Sequence, residues 1–296
     1  MYKNLGAEAL GISSRESEII EMALSYGFKG LDLDLVDFDE QVKTQGMARA
    51  SRLIVSARLK IGSFRLPVRW ENDSPDYKAD LQRLPELAGL AQQMGCTRAT
   101  ATIEPANDER PFHENFEFHR RRFAEIADVL APFKIRLGIG FLAPHGCRAG
   151  RNSPFIQVAD STMLLLRTIG AANVGLAFDS WHWHLGGGTL DLLRALKGDK
   201  IVTVALADCD AIATAQSAQL ESRRLPGEGG SLDAAAVLST LAELRYEGPV
   251  TPAPDKSQFK GLSRDKIVKQ VGAALDQVWK AAGLSMAGRL ASVPGG

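Results

Sequence analysis

What most constrains this chain is a rhythm. Across its 296 residues, short apolar runs alternate with stretches whose apolar residues fall at helical spacing. A first run over 4–9 precedes a helix. There Ser13 or Ser14 offers an N-cap, Glu16 is placed to close a capping box from Ser13, and Gly27 ends the element. The next run, FKGLDLDLV, sets Leu31, Leu33 and Leu35 against Asp32 and Asp34, as a strand with two unlike faces does. Further strands are expected over 59–67, 97–103, 135–142, 174–178, 201–207 and 249–254. Helices are expected over 39–57, 76–95, 113–133, 156–169, 189–196, 232–244 and 265–282.

About eight strand-then-helix units in about 280 residues fit a closed parallel sheet wrapped in helices. The rival is an open doubly wound sheet, which needs a glycine-rich turn after its first strand; Gly186, Gly187 and Gly188 come too late and at the wrong spacing. The expected fold class is therefore α/β, a (β/α)8 TIM barrel. It forms a single domain over 1–283, with a frayed C-terminal tail over 284–296.

In such a barrel, chemistry collects where the strands end. The densest candidate is Asn173–Thr189, NVGLAFDSWHWHLGGGT. There a buried strand runs into Asp179, Trp181, His182, Trp183 and His184. The carboxylate and imidazoles offer acid, base or ligand atoms, and the indoles offer flat apolar walls. Glu104, Asp208 and Asp255 end other strands, and Arg223 and Glu228 lie in the loop RRLPGEG. Together they suit a polyhydroxylated ligand, with Asp179 and His182 as catalytic candidates and Glu104, Trp181, His182, Asp208, Arg223 and Glu228 as substrate-binding ones. Asp179 and Asp208 are also well placed simply to cap the helices that follow.

Composition removes some classes of function. Lys+Arg and Asp+Glu are both 35, so the chain carries no net charge to attract nucleic acid or an anionic membrane. No apolar run is long enough for a membrane span, and the N-terminus lacks an export pattern. Cys96, Cys147 and Cys209 are scattered and odd in number, which points to a reducing, cytoplasmic setting without disulfides. Oligomeric state and phosphate preference stay open.

The segments YGFKGLDLD (26–34), VGLAFDSWHWHLGGGT, VALAD (204–208), RRLPGEG (223–229) and YEGPV (246–250) together resemble the xylose isomerase-like barrels, the sugar isomerase/epimerase superfamily that includes endonuclease IV-type enzymes. The resemblance spans about 4–279. It implies a barrel that isomerises or epimerises a sugar or polyol with a divalent metal such as Mn or Mg, held by Glu, Asp, His and Glu at the ends of the fifth to eighth strands. It places the Asp at Asp179, a substrate-contacting His at His182 and a substrate-binding arginine at Arg223. The other three ligand positions fall on Gly140, Ala205 and Ala253, which have no side-chain donor atom. No metal or other cofactor is therefore expected, with a relocated site of Glu104, Asp179, His182 and Asp208 as the alternative, and the two glutamates that would shuttle the substrate proton are missing. A sugar-like small molecule remains the expected partner. Two kinds of function stay in play: a non-catalytic descendant that binds such a molecule, and metal-independent proton abstraction or elimination by His182 with Asp179.

Overall fold

A computed structural model describes residues 1–71 and 74–291 of the chain. Its main sheet is parallel throughout. The segments run, in spatial order, Lys60–Ile61, Gly30–Leu31, Tyr2–Leu5, Pro249–Pro252, Ile201–Leu206, Val174–Asp179, Arg136–Phe141, Arg98–Ile103 and Phe64–Arg65. The two outermost segments are consecutive in sequence, separated only by Gly62 and Ser63. They are two halves of the expected third strand. One half pairs with Gly30–Leu31 and the other with Arg98–Ile103, so the interruption is where the sheet meets itself and the barrel closes.

Helices cover the outside. Among the longest are Pro75–Gln93, Phe112–Leu130 and Arg264–Ala281, each laying apolar residues against the sheet. The strand residues facing them are large and buried: Leu137, Ile139, Leu176, Phe178, Val204 and Val250. Their alternates face the barrel axis, and most of those near the strand ends are small. Register pairs Thr100 with Gly138, Thr102 with Gly140, Asp179 with Ala205, and Ala205 with Thr251. Partners in register share a face. Thr102 is exposed, and Thr100, Ala177, Asp179, Ala205 and Thr251 are partly exposed. The bore of this barrel therefore keeps solvent contact at positions where a stability-only barrel would stack bulky aliphatic layers.

Several local expectations change. The strand expected over FKGLDLDLV ends at Leu31. Asp34 instead caps a helix over Leu35–Gln45, accepting the amides of Val36 at 3.1 Å and Asp37 at 3.0 Å. The long helix expected over 39–57 breaks at Gly46, where φ is 81°, and resumes as Met47–Ala50 and Arg52–Ala57. The capping box from Ser13 does not form, because the first helix begins at Glu16 with Arg15 as its N-cap. Ser14 instead pairs with Glu18 and accepts a bond from Arg264 Nη1 at 2.7 Å. The tail is not frayed over 284–291. Leu284 is buried and bridges Leu290, and Trp279 Nε1 donates to Ser285 O at 2.9 Å. Residues 292–296 lie outside the described residues. No helix among the described residues is long and apolar enough to cross a membrane.

Candidate active site

The strand Val174–Asp179 ends on Asp179, and a short helix, Ser180–Leu185, follows at once. Asp179 Oδ1 accepts the amides of Trp181 at 3.0 Å and His182 at 3.1 Å, so the carboxylate caps this helix. Its other oxygen, Oδ2, accepts from Arg223 Nη2 at 2.7 Å. Burial pushes the Asp179 carboxyl up, but Arg223, His182 and these hydrogen bonds outweigh it and hold the group below the usual carboxylate range.

Arg223 comes from the loop after the strand Ile201–Leu206. While Nη2 holds Asp179, Nε donates to Ala253 O at 2.8 Å. One planar guanidinium thus bridges the ends of two strands with the strand Ile201–Leu206 between them. Gln258 Nε2 donates to the Arg223 carbonyl, and the guanidinium lies 5.3 Å from the Trp181 ring centre. Both partners are mostly buried, with side chains 12% and 19% exposed. That limits the water available to screen the pair.

His182 sits just beneath, 5% exposed. Its Nδ1 accepts the backbone N–H of Ala143 at 3.2 Å, which makes Nε2 the protonated nitrogen of a neutral ring. Burial lowers its pKa to about 4, with Asp179 pulling it up and Arg223 down. This imidazole is a donor rather than a base.

The other candidates divide. Trp181 has no exposed surface, so it backs Arg223 and His182 rather than forming a ligand wall, contrary to expectation. Its Nε1 is buried without a hydrogen-bond partner. Asp208 is also corrected. It has no exposed surface, and its two oxygens accept four amides: Cys209 at 2.8 Å, Gly229 at 3.0 Å, and Gly230 and Leu232 at 3.1 Å. No lone pair is left for a ligand; Asp208 shapes the loop that carries Arg223. Glu228 faces away, in an outer groove of about 360 Å³ shared with Gln258, Gln270 and Gln277. Glu104 stays at the strand ends but pairs with Arg151 Nη1 at 3.2 Å, tying down the loop after the strand Arg136–Phe141. Asp255 caps a short turn, accepting from Ser257 N at 2.8 Å. A surface groove of about 570 Å³ lies between helices near Glu18 and Arg264, far in sequence and chemistry from Asp179. A polar ligand is selected by placed donors and acceptors rather than by volume, so the strand ends remain the candidate site.

The three glycines after His184 are explained by packing rather than phosphate binding. Gly187 has φ of 77°, and a Cβ on Gly188 would collide with the Trp183 indole.

Sequence reasoning missed Asp32. It follows the strand Gly30–Leu31, and its Oδ1 accepts from Asn4 Nδ2 at 3.0 Å, Ser63 N at 3.0 Å and Ser63 Oγ at 2.9 Å. The available signal was its position at a strand end facing the axis, obscured by the regular Leu/Asp alternation around it.

Comparison with known proteins places this geometry. A family model described as "Xylose isomerase-like TIM barrel" matches residues 20–277. The chain is similar to an inosose isomerase of Bacillus velezensis, 22% identical over 261 residues that cover 87% of this chain and 89% of that one. Among solved structures it is similar to a xylose isomerase domain protein from Alicyclobacillus acidocaldarius, with a TM-score of 0.86 and 25% identity over 95% of this chain and 99% of that one. It also resembles a protein described as IOLI with a bound zinc atom, with a TM-score of 0.79 and 16% identity over 95% and 99% of the two chains.

A divalent metal does not fit the residues present here. Among the described residues, no group of three or more His, Cys, Asp and Glu is placed to hold one. Gly140, Ala205 and Ala253 supply no side-chain donor, and both oxygens of Asp179 are engaged, one of them by a cation. A dication at Asp179 would have to displace Arg223 and find its remaining ligands in solvent.

Proposed function

The chain belongs to the xylose isomerase-like TIM barrel family, and from that membership we propose that it binds an uncharged sugar- or polyol-like molecule in the barrel bore, with the Arg223 guanidinium as the fixed positive charge beside Asp179. The observation that carries this reading is the double contact of Arg223, to Asp179 Oδ2 at 2.7 Å and to Ala253 O at 2.8 Å. It spans the strand ends with an organic cation that cannot be chelated away. On the axial face Thr102 is exposed and Thr100 and Thr251 are partly exposed, and their hydroxyls donate and accept as a polyol does. The similarity to an inosose isomerase makes cyclic polyol ketones and ketoses the first ligands to try.

Metal-dependent isomerisation has no support in the donor set. The test has two parts. Elemental analysis of purified protein, before and after exposure to manganese, is expected to find less than stoichiometric metal. A thermal-shift screen with myo-inositol, an inosose, D-fructose and their phosphates is expected to find a stabilising uncharged ligand whose effect is lost in Arg223→Ala. One tightly held ion per chain, or no ligand in the screen, overturns the reading.

A further inference from the structure

Three groups in the bore have the chemistry to move a proton, and two are already committed. Asp179 accepts two amides on one oxygen and a guanidinium on the other. His182 spends Nδ1 on the Ala143 amide and is 5% exposed. Asp32 is different. All three of its hydrogen bonds fall on Oδ1, and Oδ2 accepts none among the described residues. Oδ2 lies beside Gly6, 3.3 Å from where a Cβ would stand, so the missing side chain leaves that oxygen room. Next to it Asn4, which has no exposed surface, donates through Nδ2 to both Asp32 and Thr251 Oγ1, while its own Oδ1 is buried without a donor. That acceptor is packed against Gly30 and Gly62, so Asn4 holds Asp32 and Thr251 in place, and the open oxygen for a ligand is Asp32 Oδ2.

A cation faces the same bore. Arg65 ends the third strand in register with Thr100, on the axial face, and is exposed. No carboxylate pairs with it among the described residues. Ser63, two positions earlier, holds Asp32 by both its amide and its hydroxyl. One short segment therefore fixes the carboxylate and supplies a guanidinium for developing negative charge.

We propose that Asp32 is the acid–base residue of a metal-independent proton exchange at the carbon beside the carbonyl of an uncharged ketose or cyclic polyol ketone, with Arg65 stabilising the enediolate. This rests on the binding reading above. Asp32 Oδ2 takes the proton from that carbon. The C–H electron pair becomes the new C=C bond, and the carbonyl pair moves onto oxygen, where Arg65 meets the charge. The neutral Asp32 trades that proton for one from solvent, then delivers it to the same carbon as the carbonyl reforms, with no oxidant or reductant involved. Because, among the described residues, only one wall of the bore carries a free base, the proton comes back to the face it left. Solvent hydrogen is therefore exchanged with configuration retained. Burial pushes the Asp32 carboxyl up to about 6, against the bonds from Ser63 and Asn4 and with Glu8 adding to the rise; a base in that range works near neutral pH.

The experiment incubates chelator-treated full-length protein with an inosose or D-fructose in D₂O and follows the proton beside the carbonyl by NMR, with binding measured in parallel by calorimetry. Wild type is expected to exchange that proton with retention. Asp32→Asn and Arg65→Gln should each cut the rate at least about 100-fold while ligand affinity changes less than about tenfold. Arg65 is exposed, so its variant reports even if Asp32→Asn fails to fold. Binding without exchange in wild type, exchange that survives either substitution, or epimerised product overturns the assignment and leaves the binding reading intact. Failure of both ligands to bind removes both.

Discussion

Ala143 donates its backbone N–H to His182 Nδ1 at 3.2 Å, and that single bond fixes the ring as the neutral Nε2–H tautomer. The pH behaviour follows. Folding lowers the pKa of His182, and of the buried His119, to about 4 from 6.5. The unfolded chain therefore binds more protons between those values. Stability is complete above pH 6.5 and falls as pH drops towards 4. Asp32, raised to about 6, works in the opposite sense over its own window and offsets part of the loss. We expect a net loss of about 2–3 kcal/mol between pH 7 and 4.5. His119→Phe, away from the site, should remove most of it. Urea titrations at the two pH values measure this; equal slopes of stability with pH in the two proteins contradict it.

Arg223 makes two directed bonds that a lysine cannot make together. Arg223→Lys should destabilise the fold by about 1–2 kcal/mol, and Arg223→Ala by about 3, because the Asp179 charge then stays buried without its cation. Chemical denaturation gives both values. A lysine variant as stable as wild type means the bridge is not what holds the strand ends.

Restoring the missing donors tests the metal argument directly. A Cβ at Gly140 meets nothing closer than 3.4 Å, so a side chain fits there. The triple variant Gly140→Glu, Ala205→His, Ala253→Glu should bind manganese at least about 100-fold more tightly than wild type, with Asp179 as the fourth ligand. Isothermal titration with manganese decides it, and equal affinities contradict the account. As a contrast, Gly175→Ala should lose more than about 2 kcal/mol, because its Cβ would press into the Lys200 carbonyl.

Asp208→Asn replaces a four-amide acceptor with a group that has one acceptor oxygen and an NH₂ facing the amides of Gly229 and Gly230. The expected cost is about 2–4 kcal/mol, with faster proteolysis of the loop carrying Arg223. A change below about 0.5 kcal/mol would show that the loop is held by something else.

Much of this was legible before any coordinates. The alternation of strand and helix points to the barrel, and one segment and one loop supply Asp179, His182 and Arg223, which the fold brings into contact. What failed did so for identifiable reasons. Asp34 reads as a strand residue by parity, yet its side chain outcompetes the ladder by capping the next helix. Asp208 and Asp179 look alike in sequence, each an acidic residue ending a strand. Only the return of Gly229–Leu232 onto Asp208 shows that one is saturated structurally while the other meets an arginine. Asp32 was hidden because its partners, Asn4 and Ser63, and Asn4's own partner Thr251, are distant in sequence and meet only when the barrel closes. Glu228 was placed by proximity to Arg223, but after a turn with Gly227 at φ of 83° it lines an outer groove with Gln270 and Gln277.

The interior wall of Thr, Gly and Ala has an evolutionary corollary. In each strand, one parity is committed to gripping the helices, while on the other Thr102, Ala205 and Thr251 keep exposed surface instead of packing. Ligand preference can therefore drift at these open positions while the scaffold's melting behaviour stays nearly still. A lineage built on this chain can change its chemistry before it risks its shape.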